Sequence, residues 1–172
     1  TALLAALETA ATFKIEGEFS KNDGSFSLLD AFVDYKYDNG FSARVGQFKV
    51  PLLRQELVSD TAQLGAGRTL ENDIFSQKRS QGIQGAWKND SVQVRAALSD
   101  GLNTLNTPYT SPREADAAVT ARVDFKGDGD WKVFDDFTSW QGSSTSWLAG
   151  VAVHWQHSGD TAATAPVPQA NL

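Results

Sequence analysis

The residues of this 172-residue chain best equipped for chemistry are its cations, and they are unevenly spaced. Between positions 49 and 80 stand Lys49, Arg54, Arg68, Lys78 and Arg79 against Glu56, Asp60, Glu71 and Asp73, so this stretch carries +1 while the rest of the chain carries −7. Guanidinium forks match carboxylate and phosphate oxygens two at a time, and cations converging on a narrow passage bind and pass anions. The structural alternative is that each cation pairs with a neighbouring acid and only holds the segment in place. The same two readings apply to Arg44, Arg95 and Arg122, which form either a basic stripe along a wall or cross-strand pairs with Asp34 or Asp124.

Other candidates read as structure. The adjacent acids Asp135 and Asp136, and the alternating Glu16 and Glu18, have the spacing of exposed charge rather than of an acid–base pair, and no catalysis is expected. Gly127-Asp128-Gly129-Asp130 has the start of a calcium loop but lacks its further ligands and closing Glu, so it reads as a turn. His154 and His157 fall on opposite faces of one strand, and with no cysteine in the chain neither a metal centre nor a cofactor is expected; His154 reads as an unpaired surface histidine. Trp131 and Trp140 could serve as sugar platforms if the chain were a soluble all-β carbohydrate-binding domain.

Period-two alternation predicts the elements that carry these groups. It runs from Phe13 to Phe19, from Leu29 to Tyr37, from Phe41 to Val45, from Ile83 to Trp87, from Val92 to Ser99, from Ala117 to Lys126 and from Trp147 to Gln156: seven strands. Asp38-Asn39-Gly40 and Lys88-Asn89-Asp90 supply tight turns, so two hairpins are expected, the first with a bulge near Gly46 where the alternation slips. The connection at 49–79 is too long for an ordinary loop, and its leucines have the spacing of short helical turns packed against something. Short turns at 38–40 and 88–91 alternate with long connections at 49–79 and 100–114. At 127–145 a short turn is due, yet Trp131, Phe134, Phe137 and Trp140 make an amphipathic insert instead. Residues 1–11 carry no assigned element, strands with the long connection occupy 12–160, and the Ala/Thr/Pro-rich stretch 161–172 reads as a flexible tail.

Composition narrows the function. A net charge of −6 and a pI near 4.8 argue against a nucleic-acid partner. No apolar run is long enough for a transmembrane helix, but a mean hydropathy of −0.33 is what alternating barrel strands average to. One face of each strand mixes small residues with aromatics near the strand ends (Tyr35, Tyr37, Phe41, Trp87, Phe125, Trp147, Trp155), as interfacial girdles do. The other carries opposite charges, as a watery lumen does. The absence of methionine reads as a processed chain or part of a longer one.

Four stretches carry a resemblance: Leu29-Asp30-Ala31-Phe32-Val33-Asp34-Tyr35, Arg44-Val45-Gly46-Gln47-Phe48-Lys49-Val50-Pro51-Leu52, Arg54-Gln55-Glu56-Leu57-Val58-Ser59 and Gln77-Lys78-Arg79-Ser80-Gln81-Gly82-Ile83-Gln84. Together with Ala97-Leu98-Ser99-Asp100-Gly101 they resemble the phosphate-selective O and P porins of bacterial outer membranes. The resemblance spans roughly residues 13–160. It implies an all-β, antiparallel up-and-down transmembrane β-barrel of sixteen strands, of which this chain holds a segment. It further implies an in-folded constriction loop at 49–79, assembly as a homotrimer in outer-membrane lipid, and passive diffusion of small anions such as phosphate selected by channel-lining arginines and lysines. Individual binding residues of the family are not carried over. Seven strands cannot close such a pore, so the resemblance requires flanking strands or other segments to complete it.

Overall fold

A computed structural model describes residues 10–20, 22–65, 67–76, 78–101, 115–138 and 142–158. All seven expected strands are present: β1 (Ala11–Phe19), β2 (Phe26–Lys36), β3 (Phe41–Lys49), β4 (Arg79–Lys88), β5 (Val92–Ser99), β6 (Ala115–Lys126) and β7 (Leu148–Ser158). They form one antiparallel sheet in chain order, each strand paired with the next. Short connections make this order the natural one, since an antiparallel neighbour needs only a hairpin. At Asp38-Asn39-Gly40 the chain reverses with Gly40 at φ +81°, and at the next hairpin Asn89 Oδ1 accepts the N–H groups of Ser91 and Val92. No helix among the described residues is long and apolar enough to cross a membrane. The expectations for the tail and for most of 100–114 lie outside the described residues.

The bulge expected near Gly46 is absent. Pairing of β3 with β2 and β4 runs without a shift through Gly46, and the irregularities lie instead at Glu16/Gly17 in β1 and Ala115/Ala117 in β6. What disturbs the alternation is the backbone itself. Gly46 takes φ +129°, where a Cβ would collide with the Ala31 carbonyl and Phe32, and beyond it Gln47 and Phe48 are both buried.

Register sorts the side chains cleanly. One continuous row crosses the sheet as Phe13, Val33, Val45, Ile83, Leu98, Val119 and Trp155, one residue from each strand. The adjacent row on the opposite face reads Thr12, Asp34, Arg44, Gln84, Ala97, Thr120 and His154. Every member of the apolar row is between 40% and 79% exposed. The polar face is the covered one, with Asp30, Ala97, Thr120, Arg122 and Asp124 all buried.

The cover is the connection between β3 and β4. It holds short helices α1 (Arg54–Leu57) and α2 (Leu70–Phe75) and a 3-10 turn at Asp60–Ala62, as the leucine spacing predicts. Thr69 caps α2 by accepting the Asn72 N–H. Inside the segment Glu56 is buried with the Asn72 amide at 3.0 Å and Arg68 at 3.3 Å, while Gln63 Nε2 donates to the carbonyls of Gln55, Val58 and Ser59. The insert between β6 and β7 contains a second 3-10 turn, Trp131–Asp135, whose Asp130 cap accepts the Lys132 N–H.

Candidate functional site

The site begins where this cover crosses the charged face. Asp124, 2% exposed, accepts Arg122 Nε at 2.8 Å and Nη2 at 2.6 Å together with Arg95 Nη2 at 3.2 Å. Gly150 of β7 is the register partner of Asp124, and any side chain there would run into the Asp124 carboxylate and the Arg122 guanidinium. The remaining Arg122 nitrogen, Nη1, donates to the Leu52 carbonyl at 2.7 Å and so pins the start of the cover to the sheet. Arg95 also reaches Gln93 at 2.8 Å, and its Nε has no hydrogen-bond partner.

Arg54 projects from α1 into the same region. Its Nη2 donates to the Phe134 carbonyl, and its guanidinium lies 5.9 Å from the Phe134 ring centroid and 5.2 Å from that of Phe137. Burial pulls the Arg54 guanidinium below its usual range; Asp124 opposes the shift, Arg122 adds to it and Asp135 opposes it. Arg54 has no carboxylate within ion-pair distance among the described residues. Two guanidiniums therefore share one buried carboxylate, and a third, Arg54, lies within electrostatic reach of Asp124 and Asp135 without pairing with either, in a chain of net charge −6.

The contact between the cover and the insert links the two rims of the sheet. The cover leaves from the end of β3, whereas the insert leaves from the opposite end, where the tight turns lie. They meet through Arg54 on Phe134 and through the Phe137 N–H on the Ala62 carbonyl at 3.1 Å. Beside this junction is a cavity of about 230 Å³ bordered by Arg54, Arg95, Gln93, Trp131, Asp135 and neighbouring residues. The aromatic residues of the insert thus have a place: Trp131 donates its indole N–H to the Asn89 carbonyl at 2.7 Å and lies edge-on to Phe134. Trp140 lies outside the described residues.

The other cations singled out in the sequence divide by partner. Arg44 makes a two-point ion pair with its register partner Asp34, at 2.7 and 2.8 Å, and stacks 3.9 Å above the Phe32 ring. Arg79 reaches over β3 to Asp30 at 2.6 Å, and Lys14 meets the same carboxylate at 2.6 Å. Arg68 is held by Glu56 and Asp60. Arg44, Arg68 and Arg95 pair with acids that the sequence offered, whereas Arg122 pairs with Asp124 on its own strand instead of across strands, and Arg79 pairs with Asp30 of β2 instead of an acid of the 49–80 stretch. Lys49 directs its ammonium at the Val58 carbonyl at 3.5 Å, and Lys78 is exposed, on left-handed backbone at φ +52°, at the foot of β4. His154 is not the unpaired surface group expected: Nδ1 lies 2.8 Å from Thr120 Oγ1 and Nε2 3.2 Å from Gln156 Oε1 on the covered face. Among the described residues no cluster of His, Asp and Glu has the arrangement of a metal site.

Two features of the site had no sequence signal. The Leu52 carbonyl is backbone, and Glu56 becomes a buried anchor only once Asn72 and Arg68 fold onto it. Gly150 carried a weak one, a glycine at a polar-face position of an otherwise regular strand. No family model matches the sequence and no curated protein matches it.

Proposed function

We propose that this chain is part of the wall of a bacterial outer-membrane porin, with residues 49–79 folded into the lumen, and that it passes small hydrophilic solutes by diffusion with a lean toward anions. The observation that carries this reading is the row Phe13, Val33, Val45, Ile83, Leu98, Val119 and Trp155, exposed across all seven strands. Half-burial forgone on seven such side chains is on the order of 5–10 kcal/mol, comparable to the roughly 5–15 kcal/mol that holds a whole domain together. A soluble sandwich turns this face inward and its charges outward. The arrangement here is the reverse, which hydrocarbon rewards and water penalises.

Aromatics support the same reading. Tyr37, Phe41, Trp87, Phe125 and Trp147 all lie at the tight-turn end of the sheet, where a barrel carries an interfacial girdle. The outer edges of β1 and β7 have no partner among the described residues, and in the porin reading further strands complete the barrel. The phosphate-selective O and P porins that the sequence resembles, with their trimeric assembly and taste for small anions, are the family this reading favours. The anion lean rests on the three guanidiniums around Asp124 and on Arg54 in particular. No reaction is catalysed.

Single cysteines test the reading directly, because the chain has none of its own. In lipid vesicles, cysteines replacing Val33, Val151 and Val153 resist a membrane-impermeant thiol reagent and react with a lipid-soluble one, while those replacing Gln84 and Ala152 react with the impermeant reagent. Equal labelling of both sets refutes it.

A further inference from the structure

The cavity beside Arg54 combines two chemistries in one wall. Arg54, Arg95, Lys88 and Lys132 supply positive charge, whereas Asp130, Asp135 and Gln93 supply acceptors, and Trp131 lines the same wall. Inorganic phosphate would use the cations and be repelled by the two carboxylates. A neutral sugar would use the acceptors but leave Arg54, which has no carboxylate within ion-pair distance among the described residues, without an anion. A molecule carrying both a carboxylate and several hydroxyl groups uses both parts of the wall: guanidinium forks take carboxylate oxygens in pairs, and carboxylates accept hydroxyl hydrogens.

We propose that this cavity is a subsite for a sugar acid of monosaccharide size, at the end of the passage where the tight turns lie. The volume of about 230 Å³ sets the size limit, below the roughly 300–1,000 Å³ of sites for drug-sized ligands. The wall is organised before a ligand arrives. Trp131 is fixed by its hydrogen bond to Asn89 at 2.7 Å and by Lys126 Nζ 5.5 Å from its ring centroid, and Asp130 keeps one oxygen on the Lys132 N–H at 3.0 Å. Arg54, held by the Phe134 carbonyl and without a carboxylate among the described residues, is the group that receives the ligand's carboxylate. The position of the subsite in a transport route rests on the porin reading, but its occupancy is measurable without conduction.

Calorimetric titration of the purified protein in detergent, at low ionic strength, uses galacturonate, galactose and inorganic phosphate as probes. Galacturonate gives saturable binding, and the other two bind about tenfold more weakly or worse, the worth of one charge-assisted contact. Arg54→Gln reduces galacturonate affinity about tenfold and leaves galactose unchanged, whereas Trp131→Leu weakens both. Lys132→Gln, at an exposed position, gives a second and milder loss that does not depend on the junction at Arg54. Phosphate binding as tightly as galacturonate, or no saturable galacturonate binding, overturns the subsite. Cysteine labelling of the same chain in lipid vesicles separates the two readings: a chain labelled on alternate faces that ignores galacturonate keeps the porin wall and loses the subsite, and one labelled equally on both faces that binds galacturonate does the opposite.

Discussion

Neutralising Asp124 without changing its size probes the charged face at its most loaded point. Asp124→Asn keeps the shape and one carbonyl oxygen but removes the negative charge shared by Arg122, at 2.8 and 2.6 Å, and Arg95, at 3.2 Å. About two charge-assisted hydrogen bonds are lost, each worth roughly 1.5–3 kcal/mol, and two cations are left facing each other. Orphaning a buried ion-pair partner costs about 3–5 kcal/mol by independent measure. The two figures agree on about 4 kcal/mol, and with Asp124 only 2% exposed no discount for solvent screening applies. At a urea dependence of about 2 kcal/mol per molar, the unfolding midpoint in detergent falls by about 2 M. Adding Arg122→Gln to Asp124→Asn relieves the repulsion, so the double variant is more stable than the sum of the single effects predicts by about 1–3 kcal/mol. A single variant that unfolds with the parent, or strictly additive effects, refutes the claim that this carboxylate holds the cluster together.

Arg54→Gln shifts the reversal potential in a salt gradient toward cations with little loss of stability, because no acid is abandoned; no shift refutes the anion lean. Arg68→Gln and Arg79→Gln instead lower the unfolding midpoint, by about 1–2 M, because Glu56 and Asp30 are left buried; unchanged midpoints would show those pairs to be idle. Gly46→Ala, forced to φ +129° against the Ala31 carbonyl, costs about 1–3 kcal/mol, read as a lower midpoint, while Gly85→Ala, with open space beside it, is nearly neutral. In the turn between β1 and β2, the Ser20 hydroxyl and the N–H and hydroxyl of Ser25 hold the Asp23 carboxyl down at about 2 against 3.8. Its contribution to the turn is therefore present above pH 3.8 and lost as pH falls through about 2; a carboxyl resonance titrating near 3.8 refutes it.

The strands were legible because their information is local. Alternation at Val119, Ala121 and Val123 needs no knowledge of the rest of the chain, and all seven strands lie where the period of two puts them. Turn chemistry at Asp38-Asn39-Gly40 and Asn89 was equally local. The slip at Gly46 was visible, but its cause was not, since an inserted residue and a left-handed glycine disturb the alternation alike. For the site, the cations could be chosen by type and not by state. Arg54 and Arg68 look the same in sequence; only the fold gives Arg68 a pair of acids and Arg54 a backbone carbonyl and two nearby aromatic rings.

The insert at 127–145 explains why those partners were hidden. A tight turn would suffice to join β6 to β7, yet the chain spends some twenty residues there and brings Phe134 and Phe137 to Arg54. β3 alone, nine residues long, spans about 30 Å, so a segment leaving its far end can meet the insert only by travelling back along the charged face. That route is enforced at its start by Arg122 on the Leu52 carbonyl and at its end by Ala62 on Phe137. The path runs past Asp124, Arg95 and Arg122, so the same contacts that hold the cover also set the charge it covers. Bulk net charge acts at a distance and is screened within about 8 Å at physiological salt. On the porin reading, a solute between this cover and the sheet meets the guanidiniums first, and the local excess around Asp124, not the −6 of the whole chain, is then the charge that sets selectivity.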